Sequence, residues 1–479
     1  MYDVIVIGAG VVGPCISTAL ARQGKKVLVV ERDWSKPDRI VGELLQPGGV
    51  KALRELGMIQ AINNIEAIDV KGYYIQYFNQ HLSIDYPLKE VAEVTNPINY
   101  LEKEIPLKSD NTINVEEWEK DSRVRGVAFH HGDFLQNLRS ICKKEVDTME
   151  GTVVKLIKKD DIVIGVEVKE NKNNTTKTKK IYSKLVISCD GIYSKFRKEY
   201  SNNNPSINSY FIGLYLKNAK LPEKNKGHVL LGNHAPVLIY QVSPNETRVL
   251  CAYRSIKPPS SANDEVYKYL KNDVLPHIPK ETLPAFTSAL EDKKFRIMPN
   301  QYLSAKKQNQ KGFILLGDSL NMRHPLTGGG MTVGISDSVL LARLLKSVDN
   351  FEDYDLIKDK LSIFHRKRKN LDAVINTLSI ALYSLFAADK RSLKILQYGC
   401  FKYFEKGGEC VSGPIGLLSG ILPFPMLLFN HFFSVAFYSI YLNFINRGIN
   451  FPLAIWECFD VLFTAIIIFT PYLWTELVQ

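Results

Sequence analysis

The chain opens with the stretch YDVIVIGAGVVG, residues 2–13, and this stretch decides the fold. An apolar run of strand length leads directly into Gly8-x-Gly10-x-x-Gly13, and a segment of helical character follows. The first glycine permits a tight turn, the second lets the backbone approach a pyrophosphate, and the third allows the helix to pack closely on the strand. The stretch therefore predicts a βαβ unit whose helix N-terminus faces the phosphates of a dinucleotide.

A second predicted strand, residues 27–30, ends at Glu31, which stands 18 residues after Gly13. A carboxylate at this place accepts hydrogen bonds from a ribose 2′-hydroxyl and repels a 2′-phosphate. The site should therefore hold FAD or NAD rather than NADP. We favour a nucleotide site over a purely structural glycine turn because strand, helix, spacing and acid occur together.

A later segment distinguishes FAD from NAD. The string FILLGD, residues 313–318, predicts a buried strand that ends in Asp318, and a triple glycine then leads into a predicted helix. The carboxylate can bind the ribitol hydroxyls of a flavin, which NAD lacks. The helix start at Gly329, Gly330 and Met331 can direct N–H groups at the flavin edge that becomes negative on reduction. The segment favours FAD, and helix capping by the acid is the alternative interpretation.

The composition excludes several classes of protein. The 479 residues include 61 Lys+Arg and 50 Asp+Glu, a formal net charge of +11, with 45% hydrophobic residues. These values exclude a disordered chain, a collagen repeat and a small disulfide-bonded fold, and the charge does not require nucleic acid as a partner. The seven cysteines are scattered and contain no C-x-x-C pair, which indicates reduced thiols rather than disulfides or a metal site.

The order of predicted strands and helices indicates an α/β protein in six parts. A Rossmann-like FAD-binding domain is interleaved with a β-sheet substrate domain, and a helical membrane-binding region follows. The expected parts are FAD-binding in residues 1–67, 124–200 and 301–345, substrate-binding in residues 68–123 and 201–300, and C-terminal helical in residues 346–479.

Three polar segments are interpreted as solvated surface. Residues 169–180 and 201–208 are rich in Asn and Lys and predict loop insertions. The basic run HRKRK, residues 365–369, lies on a predicted helix. It either contacts anionic headgroups or an acidic reductase, or it is an ordinary solvated helix face.

The C-terminal part of the chain is strongly apolar. Residues 410–446 contain no Asp, Glu, Lys or Arg, and the apolar stretch after Arg447 carries Glu457 and Asp460. Residues 426–446 are long enough to span a membrane, whereas the last stretch is expected to be too short. Prolines near the start of the run also allow an in-plane helical hairpin. We expect membrane attachment by such a monotopic hairpin, ahead of spanning helices and ahead of a buried helix pair.

Residues 8–13, Cys189-Asp190-Gly191 and Gly317-Asp318 resemble the three fingerprints of FAD-dependent monooxygenases with the para-hydroxybenzoate hydroxylase fold. Within that superfamily, four longer strings are similar to the squalene epoxidase (squalene monooxygenase) family. They are PDRIVGELLQPGG (residues 37–49), FHHG (129–132), NMRHPLTGGGM (321–331) and GGECVSGP (407–414). The resemblance covers nearly the whole chain.

The resemblance implies epoxidation of squalene to (S)-2,3-oxidosqualene in sterol biosynthesis, with O2 and NADPH-derived electrons and through a flavin C4a-hydroperoxide. It implies a microsomal NADPH-dependent flavoprotein reductase as electron donor. It also implies a location at the cytosolic face of the endoplasmic reticulum membrane or on lipid droplets, in contact with membrane lipid. An alkene has no proton to remove, so the protein must mainly position it and exclude water.

The resemblance also implies roles for individual residues. Tyr73 matches the active-site tyrosine, and Gln46 matches the glutamine that orients it. The family arginine is replaced by Val127, and Arg125 is expected to take over its flavin contact. Candidates for an apolar substrate pocket are Leu44, Pro325 and Leu326. The expected FAD contacts are Gly8, Gly10, Val11, Val12, Gly13, Glu31, Arg32, Arg39, Arg125, Val153, Asp190, Asp318, Gly329, Gly330 and Met331.

Two other functions remain open at this point. One is a different FAD-dependent lipid or polyprenyl oxidoreductase on the same fold. The other is a non-catalytic prenyl-binding escort protein of related fold. The intact Glu31 and Asp318, with the glycines around them, favour an enzyme that binds FAD.

Overall fold

The computed structural model describes residues 1–92, 115–172, 175–201, 204–260, 263–448 and 451–478. The strands are β1 (Tyr2–Ile7), β2 (Val27–Glu31), β3 (Leu44–Leu45), β4 (Ile68–Val70), β5 (Gly72–Tyr77), β6 (Gln80–Asp85), β7 (Gly126–Ala128), β8 (Asp147–Glu150), β9 (Thr152–Lys159), β10 (Ile162–Lys172), β11 (Thr175–Ser188), β12 (Ser206–Lys217), β13 (Lys226–Leu231), β14 (Val237–Ser243), β15 (Glu246–Tyr253), β16 (Arg296–Tyr302) and β17 (Phe313–Leu315). The helices are α1 (Val12–Arg22), α2 (Pro47–Glu55), α3 (Lys89–Ala92), α4 (Val115–Lys120), α5 (His131–Lys143), α6 (Arg197–Tyr200), α7 (Glu265–Tyr269), α8 (Leu283–Glu291), α9 (Gly330–Leu345), α10 (Tyr354–Ala387), α11 (Arg391–Glu405), α12 (Glu409–Leu418), α13 (Pro425–Arg447) and α14 (Phe451–Val478).

The first sheet carries the predicted βαβ unit. Its strand order is β8-β2-β1-β11-β10-β9, with β17 paired to β11. β1 runs parallel to β2 and β11, and β11 runs parallel to β17. Consecutive residues of β1 and β2 are buried, which requires cover on both faces of the sheet. Apolar residues of α1, α5 and α9 belong to the same core.

The tract at residues 169–180 is not the solvated loop that its composition predicts. Its described residues belong to β10 and β11, which pair in antiparallel register, with Lys169 opposite Thr178 and Glu170 opposite Lys177. β-branched threonines favour extended backbone, and polar side chains suit a hairpin with both faces in water. The second polar tract, residues 201–208, likewise runs into β12, which begins at Ser206.

The second sheet has the order β16-β12-β15-β14-β13-β5-β6 and is antiparallel except where β13 meets β5. Neighbouring residues of β12 point to opposite faces. Ile212 packs in a cluster with Val266 of α7 and Phe286 of α8. Phe211 packs in a cluster with residues of the C-terminal helices, among them Phe401. A third sheet of β3, β7 and β4 connects these regions.

In the described part of the helical C-terminal region, three helices are long and apolar enough to cross a membrane. These are α10, α13 and α14, and 67%, 17% and 28% of their most apolar windows are buried, respectively. α10 is therefore an interior helix, whereas α13 and α14 expose apolar surface. The expectation that the last stretch is too short is wrong, because α14 has 28 residues. Its acid Glu457 is compensated by Arg391 and Arg447 and does not interrupt the helix.

The basic run at residues 365–369 is only partly solvated. Arg366 and Lys367 are exposed, but Arg368 and Lys369 are buried on α10. The Arg368 guanidinium pairs with Asp337 of α9 and Asp372 of α10. Both interpretations, a binding surface and a solvated helix face, place the run at the surface, and this is wrong for Arg368, because Asp337 of α9 and Asp372 of α10 compensate its buried charge.

The six-part domain division stays a prediction. The first sheet draws its strands from residues 1–67, 124–200 and 301–345, and the second draws all but the end of β16 from residues 68–123 and 201–300.

Candidate active site

The glycine turn between β1 and α1 has the geometry that its sequence predicts. Gly8 has a φ of +96°, and a Cβ there would stand 2.6 Å from the carbonyl oxygen of Cys189. A Cβ on Gly13 would stand 2.0 Å from the carbonyl oxygen of Gly8, so the helix start packs tightly on the turn. A Cβ on Gly10 would meet no atom within 4 Å. The turn therefore presents backbone to open space at Gly10, as close approach of a pyrophosphate requires. Val11 and Val12 follow at the start of α1.

Glu31 lies at the end of β2 beside this turn. Its Oε2 accepts a hydrogen bond from the Ala9 N–H at 2.6 Å, and its Oε1 accepts one from the Asp33 N–H at 3.0 Å. The Gly151 N–H, in the bend between β8 and β9, donates to the Glu31 carbonyl oxygen at 2.8 Å. Val153 of β9 is buried at this edge. Arg32 is exposed just beyond the strand.

Arg139 of α5 is a residue of this region that the sequence reasoning missed. It is 5% exposed, and its Nε donates to the carbonyl oxygen of Ala9 at 2.8 Å while Nη1 donates to that of Ser35 at 2.9 Å. Its Nη2 lies 4.0 Å from Glu31 Oε2. Arg139 therefore connects the glycine turn with the segment after β2. Arg139 is far from the glycine turn in sequence, and no motif with a fixed spacing connects the two. The one indication in the sequence is that Arg139 lies on α5, which begins within FHHG.

Arg125, by contrast, lies in an acidic environment. Its guanidinium pairs with Asp69 and Asp121, and its Nη2 lies 3.2 Å from Glu117 Oε1. Burial raises the pKa of Asp69, and the Arg125 charge opposes that rise. These contacts assign the guanidinium to local ion pairing, so they do not favour the flavin contact that was expected of Arg125.

Two further carboxylates belong to segments close to this turn, since a Cβ on Gly8 would stand 3.3 Å from Asp190 Cα and one on Gly317 would stand 3.0 Å from Val12 Cγ2. Asp190 accepts hydrogen bonds from the Ser188 hydroxyl at 2.7 Å and from the Lys195 N–H at 3.2 Å. Asp318 follows β17 and is exposed to solvent although protein atoms surround it closely, which places it on the wall of a cleft. Desolvation raises the pKa of Asp318, and the arginine charges that oppose this rise belong to Arg323, Arg39 and Arg197.

Residues 317–331, which we call the flavin segment, continue from Asp318 to the start of α9. Gly328 has a φ of +62°, and a Cβ on Gly329 would stand 2.4 Å from Ile375 Cγ2. A Cβ on Gly330 would meet no atom within 4 Å, so α9 begins at open space. Met331 is half-buried against the first core.

The residues of this cleft fit FAD. Arg323 Nε and Thr327 Oγ1 in the flavin segment are buried polar atoms without a protein hydrogen-bond partner among the described residues. Gly10 and Gly330 leave open space at two helix starts, and the acid Glu31 lies beside the first. A ligand with anionic phosphates and a polar ring edge would satisfy these groups.

Gln46 and Tyr73 are in direct contact, as the resemblance implies. Gln46 Nε2 lies 2.7 Å from the Tyr73 hydroxyl and donates to the Thr327 carbonyl oxygen at 2.7 Å. Tyr86, which the sequence reasoning missed, donates its hydroxyl hydrogen to Gln46 Oε1 at 2.7 Å. Burial raises the pKa of Tyr73 to about 12, while the bonds to Tyr86 and Gln46 oppose the rise. The Tyr73 hydroxyl therefore stays protonated at neutral pH.

These three side chains border the apolar cluster of the second sheet. Tyr73 and Tyr86 meet edge to face with ring centroids 5.6 Å apart. Leu326 of the flavin segment is buried in the same cluster, and Leu44 of β3 packs against it. Pro325 starts a short 3-10 turn that precedes Gly328. The structure thus places the tyrosine hydroxyl between an apolar region and the flavin segment.

A buried ion pair next to this cluster was also missed. Arg248 Nε donates to Glu43 Oε2 at 2.7 Å, and its guanidinium lies 3.4 Å from the ring centroid of Tyr215. The Tyr215 hydroxyl donates to Glu43 Oε1 at 2.6 Å. Because the charges are paired and hydrogen-bonded, their burial is tolerated. The pair attaches the segment that carries Leu44 and Gln46 to the second sheet.

The two histidines of FHHG do not face a common ligand. His131 Nδ1 lies 3.0 Å from the Gly42 carbonyl oxygen, and His130 Nε2 lies 2.8 Å from Glu246 Oε2. Within the ranges that the structure describes, no group of three or more His, Cys, Asp or Glu side chains could hold a metal ion.

Comparison with solved structures identifies the fold. The chain is similar to the flavin-dependent brominase Bmp2, with a TM-score of 0.66 and 13% identity over 91% of this chain and 99% of that one. It is also similar to PqsL, a probable FAD-dependent monooxygenase of Pseudomonas aeruginosa, with a TM-score of 0.60 and 16% identity over 81% and 96% of the two chains. The predicted α/β fold, with its Rossmann-like domain and β-sheet domain, is confirmed.

Comparison of sequences identifies the family. Residues 182–456 match the family model of squalene epoxidase. The chain is 68% identical to squalene epoxidase of Candida albicans over 100% of its own length and 99% of that protein. It is 50% identical to squalene epoxidase of Saccharomyces cerevisiae over 100% and 96%. It is 38% identical to squalene monooxygenase of Rattus norvegicus over 99% and 78%. The chain belongs to the squalene epoxidase family.

Proposed function

We propose that this protein binds FAD in the cleft between Gly10 and Gly330 and epoxidises squalene to (S)-2,3-oxidosqualene with O2 and electrons that originate in NADPH. The observation that carries the proposal is the buried connection from Tyr73 through Gln46 to the Thr327 carbonyl oxygen. It joins an apolar region, suited to a hydrocarbon, to the segment that would hold the flavin.

The cofactor would be held at both ends of the cleft. Glu31 would receive the ribose hydroxyls, and Asp318 the ribitol hydroxyls. We assign the arginine role at the glycine turn to Arg139, since Arg125 is engaged by acids. Reduced FAD supplies the activated oxygen when it is bound, and the residues around it position the alkene.

Tyr73 would act by position and not as a base. Its raised pKa keeps the hydroxyl protonated, so it can donate a hydrogen bond toward the reacting oxygen. Gln46 Nε2 donates to the Tyr73 hydroxyl oxygen, which holds the hydroxyl and leaves its hydrogen free, and Tyr86 keeps Gln46 in place. Leu44, Pro325 and Leu326 would line the path of the alkene and exclude water.

The electrons would come from a separate microsomal NADPH-dependent flavoprotein reductase. The cleft described above uses the glycine turn at residues 8–13, and no second glycine fingerprint with strand context occurs in the sequence. An absent fingerprint does not exclude direct reduction by NADPH, so omission of the reductase is part of the experiment.

The protein would lie on the cytosolic face of the endoplasmic reticulum membrane, or on lipid droplets, as a monotopic enzyme. Both ends of α14 contact the rest of the protein: Glu457 pairs with Arg391 at the start of α11, and Glu476 accepts a hydrogen bond from Tyr302 of β16. The 19 residue steps from Glu457 to Glu476 extend about 28 Å along the helix. A helix held at both ends in this way lies along the protein, with its exposed apolar side toward lipid.

The experiment is purification in detergent, a visible spectrum, and incubation with squalene and NADPH under air, with and without a microsomal reductase. We expect a flavin spectrum and reductase-dependent 2,3-oxidosqualene. Bound flavin without epoxide, under conditions in which a known epoxidase is active, would indicate another lipid substrate. Failure to bind FAD, even when it is added, would contradict the proposal and favour an escort protein.

A further inference from the structure

A cluster of charged and amide side chains lies buried between the flavin segment and the last helix. Burial of such groups costs free energy unless they are paired, so each of them must be held in a specific arrangement. Such an arrangement can serve a function beyond packing. The cluster, which we call the buried polar cluster, comprises Asn321, Arg323, Asp337, Arg368, Asp372, Asn376 and Glu476.

Glu476 connects this cluster to the membrane-associated part of the protein. It lies near the end of α14 and is 0% exposed, although other residues of the same helix, such as Trp474, are largely exposed. Its Oε1 accepts hydrogen bonds from the Tyr302 hydroxyl at 2.6 Å and from Asn376 Nδ2 at 2.9 Å. The end of α14 is therefore fixed in the interior by a carboxylate.

Asn376 continues the connection toward the flavin segment. Its Nδ2, which carries two hydrogens, also donates to Asn321 Oδ1 at 3.2 Å. The same oxygen accepts from Arg323 Nη2 at 2.5 Å and from Arg368 Nη2 at 3.3 Å. Asn321 is thus the point at which the α10 side of the cluster meets the flavin segment.

Arg323 forms the last step of the connection. Its Nη2 also donates to the Asn321 carbonyl oxygen at 3.1 Å, and its Nη1 lies 3.5 Å from the Gly330 carbonyl oxygen. Its charge opposes the rise in the pKa of Asp318. Its Nε is buried without a protein partner among the described residues. Arg323 is therefore placed between two expected FAD contacts, and Asn321 holds it there.

We infer that Glu476 is a positioning residue for the flavin site: by holding Asn376 it fixes Asn321 and Arg323, so that the contact of the C-terminal end of α14 with Asn376, and not the packing of the rest of the helix, sets the affinity for FAD. This inference rests on the proposed placement of FAD beside Asp318. Coupling between two binding events is reciprocal. FAD must therefore stabilise the docked end of α14 by the same factor.

The test is titration of the detergent-purified, FAD-depleted full chain with FAD, followed by flavin fluorescence. We expect E476A and N376A to raise the Kd for FAD about tenfold, the range of a coupling between linked sites. E476Q should recover most of the affinity, because its amide oxygen can still accept from Asn376.

Two variants serve as matched controls. E457A truncates another acid of the same helix, whose partners Arg391 and Arg447 lie away from the flavin segment. Y302F removes the other hydrogen bond of Glu476 and leaves the path through Asn376 intact. We expect both to keep the Kd for FAD within about twofold of the wild-type value. Equal weakening in E476A and E457A would overturn the inference, as would unchanged affinity in E476A and N376A.

Further measurements separate this inference from the proposed function. If D318A binds FAD as tightly as the wild type, the proposed site itself is wrong. If D318A weakens FAD binding and E476A does not, the positioning inference alone fails. If E476A does not fold, the inference is tested with N376A, by FAD titration and by carboxypeptidase digestion. FAD is expected to slow removal of the C-terminus in the wild type but not in N376A, and equal protection in both would overturn the inference.

Discussion

Tyr73 is held by contacts that leave its hydroxyl little freedom, and this makes its contribution measurable. Tyr73→Phe removes the hydroxyl and keeps the ring, so FAD binding should be unchanged. We expect kcat/KM for squalene to fall about tenfold, since one hydrogen bond is worth ~1 kcal/mol or slightly more. Tyr86→Phe should have a smaller effect in the same direction, because it acts through Gln46.

The matched control is Tyr74→Phe. Tyr74 is the next residue of β5 and stacks on His81, with ring centroids 5.3 Å apart, away from Gln46. The flavin spectrum confirms cofactor content in each variant, and product formation gives kcat and KM. Equal losses of activity in Tyr73→Phe and Tyr74→Phe would contradict the role of the Tyr73 hydroxyl.

Substitution of Arg139 and of Arg125 should change different quantities: the affinity for FAD in the first case and the stability of the fold in the second. Arg139→Ala removes hydrogen bonds to Ala9 and Ser35 at the glycine turn, and we expect the Kd for FAD to rise about tenfold, since bonds to charged groups contribute ~1.5–3 kcal/mol. Arg125→Ala leaves the buried Asp69 without its cation, and we expect a loss of about 3 kcal/mol in unfolding free energy.

Fluorescence titration with FAD and urea unfolding of the same two preparations measure both quantities. The Kd for FAD should rise in Arg139→Ala. In Arg125→Ala it should stay close to the wild-type value after correction for the folded fraction. A larger loss of FAD affinity in Arg125→Ala would instead support the flavin contact expected from the resemblance.

At the scale of residues, the sequence predicts those contacts that depend on local spacing. Gly8, Gly13 and Glu31 lie within one βαβ unit, so their geometry follows from the motif. Arg139 and Tyr86 were missed because each reaches its partner from an element far away in sequence. The partners become neighbours only after the sheets assemble, and no spacing rule covers that distance.

At the scale of elements, Glu457 joins three helices. It accepts from Arg391 Nε of α11 at 3.2 Å and from Asn443 Nδ2 of α13 at 2.8 Å, and it pairs with Arg447. Glu457→Ala leaves two arginines without this acid. We expect a loss of about 1–3 kcal/mol in stability of the α13–α14 pair, since charged hydrogen bonds of a nearly buried group are lost.

Limited proteolysis in detergent measures that loss as faster cleavage within α14. Glu409→Ala is a suitable control, because Glu409 at the start of α12 is exposed and makes none of these contacts. Cleavage of the Glu457→Ala variant at the wild-type rate would show that apolar packing holds the pair without help from this acid.

Composition was misleading for two elements, and the physical reason is the same in both. In the tract at residues 169–180, Lys169 and residues 177–180 are exposed although they lie in the paired strands β10 and β11, so the polar composition there reflects contact with water and not a lack of regular structure. The run at residues 365–369 is basic, but two of its five residues, Arg368 and Lys369, are buried, and Asp337 of α9 pairs with Arg368. Composition gives the polarity of each side chain, whereas the burial of that side chain depends on the elements that pack against it. Apolar runs, by contrast, correctly predicted β1, β2 and β17 of the first sheet.

At the scale of the whole molecule, buried histidines make stability depend on pH. Desolvation lowers the pKa of His131, His228 and His234 to about 4, and that of His324 to about 3. The unfolded chain, with a usual pKa near 6.5, binds more protons between these values. Stability is therefore complete above about pH 6.5 and falls as the pH decreases through this window. Each histidine contributes a slope of at most about 1.4 kcal/mol per pH unit.

Urea unfolding at several pH values between 7 and 4 measures this slope. His228→Gln should reduce it by about one histidine's share, because His228 is neutral in the fold and accepts from the Glu223 N–H at 3.3 Å. His81→Gln is the control, since His81 is exposed. An identical slope in wild type and His228→Gln would mean that carboxyl groups, not buried histidines, determine the acid sensitivity.

The whole-molecule arrangement also predicts which surface meets lipid. Trp456, Phe459 and Phe463 of α14 are 74%, 68% and 63% exposed, and their spacing of three and four residues places them on one helix face. Full burial of such side chains contributes ~1.5–3 kcal/mol each. Replacing all three by Ser should weaken binding to phosphatidylcholine vesicles at least about tenfold, even if insertion is partial.

Ile256, 80% exposed near the end of β15, provides the control Ile256→Ser. Flotation measures binding, and the flavin spectrum in detergent shows whether the fold is intact. Wild-type flotation of the triple variant would contradict attachment through this face of α14 and direct attention to α13.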